Sequence, residues 1–279
     1  MSQSKFSDIL DGVKAGQVIP YIGPYALKGS VHKESGKPIP ADSDSLILAM
    51  NDGEPMAKVL MYEFSRAAMN QELKKGRKYV RSFLTDCYSS DVWTSTPIHN
   101  WLASLKPAFI IDINRDTLLQ TCYSDAVHNL ILGFARMKGN DYRFKIFYYD
   151  GIEYNEVDQD EMDHSLPILF KPLGSPKPKP HYVATDADFV DYLTELRGGF
   201  GVPAFFKKYR REKRYLFLGM SFACDTERMV MTDIAVDAAA PMMGWALIPE
   251  PTKKAARFCA RNGIEIIEAD INDLLTAAD

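Results

Sequence analysis

The sequence lacks the residue patterns that build metal centres. Its four cysteines are far apart and form no Cys-x-x-Cys pair, which disfavours a structural zinc site. The five histidines show no metal-ligand spacing either. We therefore predict that the protein binds no metal and that its cysteines are reduced thiols. The cysteines are Cys87, Cys122, Cys224 and Cys259, and the histidines are His32, His99, His128, His164 and His181.

Long apolar runs and an excess of basic charge are also missing. No run is long enough to span a bilayer, and the N-terminal residues contain no apolar signal core. The formal net charge is -4, so no broad basic surface is implied and nucleic acid is not expected as an obligatory partner. These absences predict a cytoplasmic protein without a membrane partner.

What the sequence does contain is an ordinary globular balance of residues. Of its 279 residues, 46% are hydrophobic and 25% are charged, which is enough for a sizeable core in one large α/β domain or two small ones. We interpret residues 1–279 as a single domain. Residues 45–88 have a helical pattern throughout and are predicted to form a helical insertion or small lobe after the first strand.

Residues 108–116 are the starting point for predicting the fold and the site. Residues 108–112 are mostly apolar, as in a strand buried on both faces of a parallel sheet, and a helical segment follows at 117–122. The polar turn between them carries Asn114 and Asp116. Such a turn lies at the carboxyl end of its strand, where open α/β folds hold ligands. Asn114 and Asp116 could meet a ligand there or serve only as turn formers and helix caps.

Strand and helix patterns alternate along the rest of the chain, which predicts a parallel sheet with helices on both faces. An acidic exposed loop is predicted at 153–163, and His99 is predicted to be a packed or capping residue on the helix at 95–105. The predicted strands are 17–22, 127–134, 142–149, 166–171, 214–218, 243–248 and 264–267. Further helices are predicted at 6–13, 185–193, 202–208, 253–261 and 271–277, with another from about residue 225.

Four segments, in this order, resemble the SIR2-like superfamily, the Rossmann-like NAD-binding domain of sirtuins and of NAD-hydrolysing defence proteins. They are 18–23, then 98–102 with 111–116, then 170–175 with 183–193, and finally 216–222. The resemblance implies NAD or ADP-ribose as the ligand, with Asn114 and Asp116 as the catalytic candidates if the protein is active. The cofactor-binding positions that it implies are Gly23, Tyr25, Asn114, Asp116, Gly174, Ser175, Gly219 and Ser221.

The sequence departs from the family pattern at two motifs. Tyr25 replaces a glycine that lets the backbone approach the pyrophosphate, and Pro24 removes an N–H donor beside it. Leu173 stands where the family has its catalytic histidine, and a leucine can neither accept nor donate a proton. His181 follows a stiff proline-rich loop and is not expected to substitute for that histidine.

Three functions remain open from the sequence. The favoured one is a degenerate SIR2-like protein that has lost NAD chemistry and binds or regulates another protein. The alternatives are an NAD glycohydrolase that uses Asn114 with another base, and a protein that binds ADP-ribose without turnover. The resemblance also suggests a nitrogenase component as a candidate partner, because SIR2-like proteins of this size accompany nitrogen-fixation genes. A contact surface could involve Met56, Met61, Tyr62 and Met69, which the helical spacing also allows in the core.

Overall fold

The computed structural model describes residues 2–89, 91–137 and 141–278, in which it contains eleven α-helices and eleven β-strands. The helices are α1 (Ser2–Lys14), α2 (Ser43–Met50), α3 (Phe64–Lys75), α4 (Arg77–Tyr88), α5 (Pro97–Leu105), α6 (Leu118–Cys122), α7 (Asp186–Gly198), α8 (Ala204–Tyr209), α9 (Asp225–Ile234), α10 (Lys253–Arg261) and α11 (Ile271–Ala278). The strands are β1 (Val18–Ile22), β2 (Phe109–Asp112), β3 (His128–Gly133), β4 (Phe144–Tyr149), β5 (Tyr154–Val157), β6 (Ile168–Lys171), β7 (Gly174–Ser175), β8 (His181–Tyr182), β9 (Arg214–Leu218), β10 (Gly244–Leu247) and β11 (Ile264–Ile267).

Nine of the strands form one twisted sheet in the order β11-β10-β9-β1-β2-β6-β3-β4-β5. The first strand lies inside this sheet, since β1 pairs in parallel with β2 on one side and with β9 on the other. The strand order therefore reverses at β1, and ligands of open α/β folds bind at such a switch point. The mostly parallel sheet with helices on both faces confirms the predicted Rossmann-like α/β fold.

The two sheet faces bury separate apolar clusters because successive side chains of a strand point to opposite faces. One face packs against α7, α8, α9 and α10, and Tyr21, Ile111 and Phe170 are among its buried strand residues. The other face packs against α1, α5, α6 and α11, and Ile22 and Leu169 are among its strand residues. Both faces of the central strands are buried, which explains why their sequences are continuous apolar runs rather than alternating ones.

The sheet departs from the predicted parallel arrangement at one edge. Strand β4 runs antiparallel to β3, and β5 runs antiparallel to β4. The second hairpin closes through Asp150, whose Oδ1 accepts the amides of Ile152 and Glu153 at 2.8 and 2.9 Å, and through Gly151 with φ +99°. The predicted exposed loop at 153–163 is thus partly an edge strand.

The helical prediction for 45–88 is correct for α2, α3 and α4 and wrong for residues 51–63. Asp52 and Gly53 have φ values of +55° and +89°, which no helix accommodates, and Pro55 follows them. The three helices bury an apolar cluster of their own. Met56 and Met61 pack partly buried against this cluster, whereas Tyr62 is 52% exposed. Among the helices described, none is long and apolar enough to cross a membrane.

The central strands β2 and β6 end in a buried ion pair. Lys171 Nζ lies 2.5 Å from Asp112 Oδ2, and both side chains are almost completely excluded from solvent. The other carboxylate oxygen of Asp112 accepts the backbone amide of Asn114 at 2.9 Å. The pair therefore joins two neighbouring strand ends and shapes the turn that follows β2.

We expect the Lys171→Met variant to lose about 3–5 kcal/mol of unfolding free energy, because it leaves the Asp112 carboxylate buried without a counter-charge. The double variant Asp112→Asn/Lys171→Met should regain most of that loss, since the charge is gone and Asn can still accept the Asn114 amide. Urea unfolding followed by circular dichroism measures both values.

The half-exposed pair between Lys145 and Glu156 is the matched control. Lys145→Met should cost less than about 1 kcal/mol, because solvent screens that pair. If Lys171→Met and Lys145→Met lowered the unfolding free energy equally, that result would contradict a structural role for the buried pair.

Candidate functional site

The crevice at the switch point is bordered by the turn that follows β1. Gly23 begins this turn, and residues Pro24–Leu27 form a short 3₁₀-helix. Pro24 has no N–H, the Tyr25 amide donates to the Gly219 carbonyl at 2.9 Å, and the Ala26 amide donates to the Gly23 carbonyl at 3.1 Å. The first amides after β1 are thus unavailable to a phosphate, although this is the position at which Rossmann-like folds bind one.

The turns after β1 and β9 lie directly against each other. The Gly23 amide donates to the Leu218 carbonyl at 2.8 Å. Gly219 has φ +72°, and a Cβ atom there would collide with the Ala26 amide nitrogen, while a Cβ on Gly23 would collide with the Met220 sulfur. Two of the three predicted cofactor-binding glycines, Gly23 and Gly219, therefore permit a close approach of one turn to the other.

Asn114 is oriented towards the same turn. Its side-chain nitrogen donates to the Gly23 carbonyl at 3.0 Å, and the residue is buried. Asp116 is fully buried, and its Oδ1 accepts the Leu118 amide at 2.7 Å, while its Oδ2 has no partner among the described residues. Asp116 thus makes the turn contact foreseen for it, whereas the Asn114 side chain contacts Gly23 instead of capping a helix and borders a cavity.

That cavity, which we call the inner cavity, has a volume of about 40 Å³. Asn114, Arg115 and Leu173 line it from the sheet, and Phe64 and Glu227 close it from α3 and α9. Further lining comes from Pro24, Ala41, Ser43, Leu46, Ser65, Tyr88, Ile113, Phe189 and Thr226. This volume holds a few water molecules at most.

Charged groups surround the inner cavity although it is small. The Arg115 guanidinium donates to the Val183 carbonyl at 2.6 and 3.1 Å and lies 5.6 Å from the centre of the Phe64 ring. Burial raises the pKa of Glu227 to about 7, and the nearby Glu63 carboxylate adds to that increase, while Arg115 opposes it. A carboxyl group that titrates near neutrality thus lines the same cavity as Asn114.

Glu63 fixes the segment that closes the inner cavity. Its carboxylate accepts the backbone amides of Asp225 and Thr226, the first residues of α9. A carboxylate in this position satisfies amides that have no partner inside the helix and complements the helix dipole. The Tyr62 hydroxyl donates to Asp225 Oδ2 at 3.0 Å beside it. These contacts hold the residues before α3 against the start of α9.

A second space, which we call the outer cavity, is lined by residues of both turns. It has a volume of about 530 Å³ and opens at the carboxyl ends of β9 and β10. The predicted residues Tyr25, Gly219 and Ser221 line it, together with Lys28, Met220, Leu247, Ile248, Pro249, Glu250, Thr252, Asp270 and Ile271. A smaller cavity of about 210 Å³ shares Tyr25, Lys28, Asp270 and Ile271 with it.

The structure separates the predicted site residues into three groups. Asn114 lines the inner cavity and contacts Gly23. Tyr25, Gly219 and Ser221 line the outer cavity. Gly174 and Ser175 line neither cavity, since they pair with β8, and the Ser175 hydroxyl donates to Gln120 Oε1 at 2.7 Å in the interior. Asp116 is likewise enclosed. His99 is buried, as predicted, with its Nδ1 2.7 Å from the Thr96 hydroxyl.

Sequence reasoning missed four charged residues of the crevice. Glu250 and Asp270 follow β10 and β11, so the rule that pointed to Asn114 after β2 could have found them. Lys28 and Glu227 had no comparable signal. They belong to a loop and a helix, and only the folded chain brings them to the cavities.

The fold and the crevice define a Rossmann-like α/β protein with an open space at the switch point of its sheet. Residues 108–267 match the family model of the SIR2-like domain. This match covers more than half of the chain, and the chain therefore belongs to the SIR2-like domain family. A comparison with curated proteins finds no match.

We expect Glu227→Gln to stabilise the protein at pH 8 by at most about 3 kcal/mol and to have little effect at pH 5. The folded pKa of Glu227, about 7, lies above the ordinary value of 4.5. The unfolded chain therefore loses this proton first as the pH rises, and the wild type loses stability between these two values. Urea unfolding at pH 5, 6, 7 and 8 measures the difference.

The exposed Glu161 supplies the control, because Glu161→Gln should change stability by less than about 0.5 kcal/mol at every pH. If the difference in unfolding free energy between Glu227→Gln and the wild type does not grow with pH, the Glu227 carboxyl is already ionised in the folded protein below neutrality.

Proposed function

We propose that this chain is a SIR2-like protein that has lost NAD hydrolysis and acts as a regulatory or protein-binding factor. The inner cavity of about 40 Å³ carries the proposal. Asn114 and Leu173 line it, and the family resemblance assigns the reaction to these two positions. A cavity of this size admits a few water molecules but no part of a dinucleotide that must react there.

The chemistry of the lining supports the same proposal. Leu173 is buried and apolar, and it stands where the family has its histidine. Loss of a general base typically lowers a rate by about 10²–10⁴-fold. The amide of Tyr25, which borders the pyrophosphate position implied by the family, already donates to the Gly219 carbonyl. Binding of the reacting end and proton transfer are therefore both disfavoured.

One observation favours a second candidate, an NAD-hydrolysing enzyme. Glu227 lines the inner cavity with Asn114, and its pKa of about 7 suits a general base at neutral pH. In this alternative Glu227 takes the role of the missing histidine. It requires the contacts of Glu63 with α9 to open so that the nucleotide can enter.

The outer cavity supports a remaining role in ligand binding. It keeps Gly219 and Ser221 at its wall and lies at the switch point of the sheet, so the nucleotide half of NAD or ADP-ribose could occupy it without turnover. Such binding would give a regulatory protein a signal to respond to. A protein partner, with a nitrogenase component as one candidate, and a cytoplasmic location are part of the proposal.

We expect the purified protein to release no nicotinamide from NAD above the buffer background, because the inner cavity is too small for the nicotinamide end of NAD. Proton NMR of the reaction mixture over several hours measures the release. Asn114→Ala and Glu227→Gln should give the same background as the wild type.

Asn155→Ala is the control, because it replaces an exposed asparagine outside the candidate site. Nicotinamide release that persists in Asn155→Ala but disappears in both Asn114→Ala and Glu227→Gln would overturn the proposed loss of activity and favour the enzyme.

A further inference from the structure

Two exposed surfaces of opposite charge lie at opposite ends of the sheet, and each presents an apolar side chain. Leu73 is 75% exposed and Ile152 is 89% exposed, the highest values among the large apolar residues that the structure describes. Basic residues follow Leu73, whereas Ile152 stands among carboxylates. We propose that these two surfaces bind each other between copies of the chain, which thus associate head to tail. The proposal is independent of whether the protein hydrolyses NAD.

The first surface, which we call the basic corner, lies where α3 ends and α4 begins. Gly76 turns the chain there with φ +84°. Arg77 and Lys78 start α4, whose first turn holds no acidic residue, and the helix dipole disfavours positive charge at that end. Helix stability therefore does not account for these cations. The corner consists of Lys74, Lys75, Arg77, Lys78 and Arg81 beside the exposed Leu73.

The carboxylates nearest to the basic corner leave most of its charge without a counter-charge. Both oxygens of Glu72 accept from Arg136 at 2.7 Å. Asp188 Oδ1 is shared between Arg136 at 2.6 Å and Arg77 at 3.1 Å. Among the described residues, no ion pair reaches the other cations of the corner, Lys74, Lys75, Lys78 and Arg81. A chain of net charge -4 thus carries a local basic surface that attracts anionic groups.

The second surface, which we call the acidic tip, is the turn between β4 and β5. Ile152 stands in this turn between the exposed Asp150 and Glu153. Asp150 Oδ1 accepts the amides of Ile152 and Glu153, so the turn has a fixed shape. Asp163 adds an exposed carboxylate at the same end of the sheet, since its carbonyl accepts the Asn129 side chain near the start of β3. The acidic tip is therefore a preformed apolar and anionic projection.

The acidic tip and the basic corner cannot meet within one chain. Tyr149 pairs with His128, so the acidic tip extends beyond the amino end of β3. The basic corner lies beyond the carboxyl end of β3, where the Arg77 side chain donates to the Ala135 carbonyl at 3.5 Å. Strand β3 has six residues, which separate the two surfaces by about 20 Å. A copy that offers its tip to another copy keeps its own corner free, and such a contact builds open chains or rings.

The tip of a second copy complements the basic corner in both charge and polarity. It brings the Ile152 side chain to Leu73 and carboxylates to the lysines. A nucleic acid would pair its phosphates with the same lysines but would leave Leu73 without an apolar contact. Because a hairpin tip buries little surface, we expect weak association at low salt, with a Kd on the order of 10–100 µM.

Sedimentation velocity of the whole chain over a range of concentrations tests this inference. We expect the average mass of the wild type to rise with protein concentration in about 0.05 M salt. In about 0.5 M salt the mass should return towards that of the monomer, because salt screens exposed charges.

Two variants each remove one surface. Lys74→Glu/Lys78→Glu reverses charge at the basic corner, and Ile152→Ser/Glu153→Gln neutralises the acidic tip. Each variant alone should stay monomeric, with the circular dichroism spectrum of the wild type. An equal mixture of the two should form a dimer and nothing larger, because each pair retains one intact tip and one intact corner.

Lys253→Glu/Arg257→Glu is the matched control, because it makes the same charge change on exposed residues of α10 and should associate as the wild type does. A wild type that stays monomeric at low salt would overturn the inference, also if its basic corner binds an RNA oligonucleotide instead. Association that either surface variant retains alone, or a mixture that forms no dimer, would equally contradict it.

Discussion

The buried Asp112 carboxylate is the contact on which the crevice depends. It pairs with Lys171 across two neighbouring strands and accepts the Asn114 amide at the start of the turn. Because the turn is held in this way, the Asn114 side chain reaches the Gly23 carbonyl in the turn after β1. One carboxylate thus links the ends of β1, β2 and β6.

The turns after β1 and β9 lie in close contact with each other. In a Rossmann-like fold, glycines at such turns usually allow a ligand to approach the backbone. Here Gly23 and Gly219 allow the turns to approach each other, and the hydrogen bonds that would meet a phosphate are made within the protein. Glycines at family positions therefore do not by themselves indicate a working cofactor site.

Local patterns were sufficient to predict most helices and strands, because continuous apolar runs and capped helices carry their own signal. The predicted helix at 185–193 is an example, since the side chains of Thr185 and Asp188 form a capping box at the start of α7. The edge strand β5 was missed because its residues are polar and half-exposed. The opposite case is the loop at 51–63, where apolar residues at helical spacing suggested a helix that Gly53 prevents.

The site was harder to predict than the fold because its decisive contacts join distant parts of the chain. Sequence alone placed Leu173 and Tyr25 at altered motifs. It could not show that the Glu63 carboxylate accepts the Asp225 amide at the start of α9, because the two residues are 162 positions apart in the sequence. That contact joins the residue before α3 to the first residue of α9. Phe64, Arg115 and Glu227 line the inner cavity together, and the raised pKa of Glu227 reflects the cost of burying its charged form there.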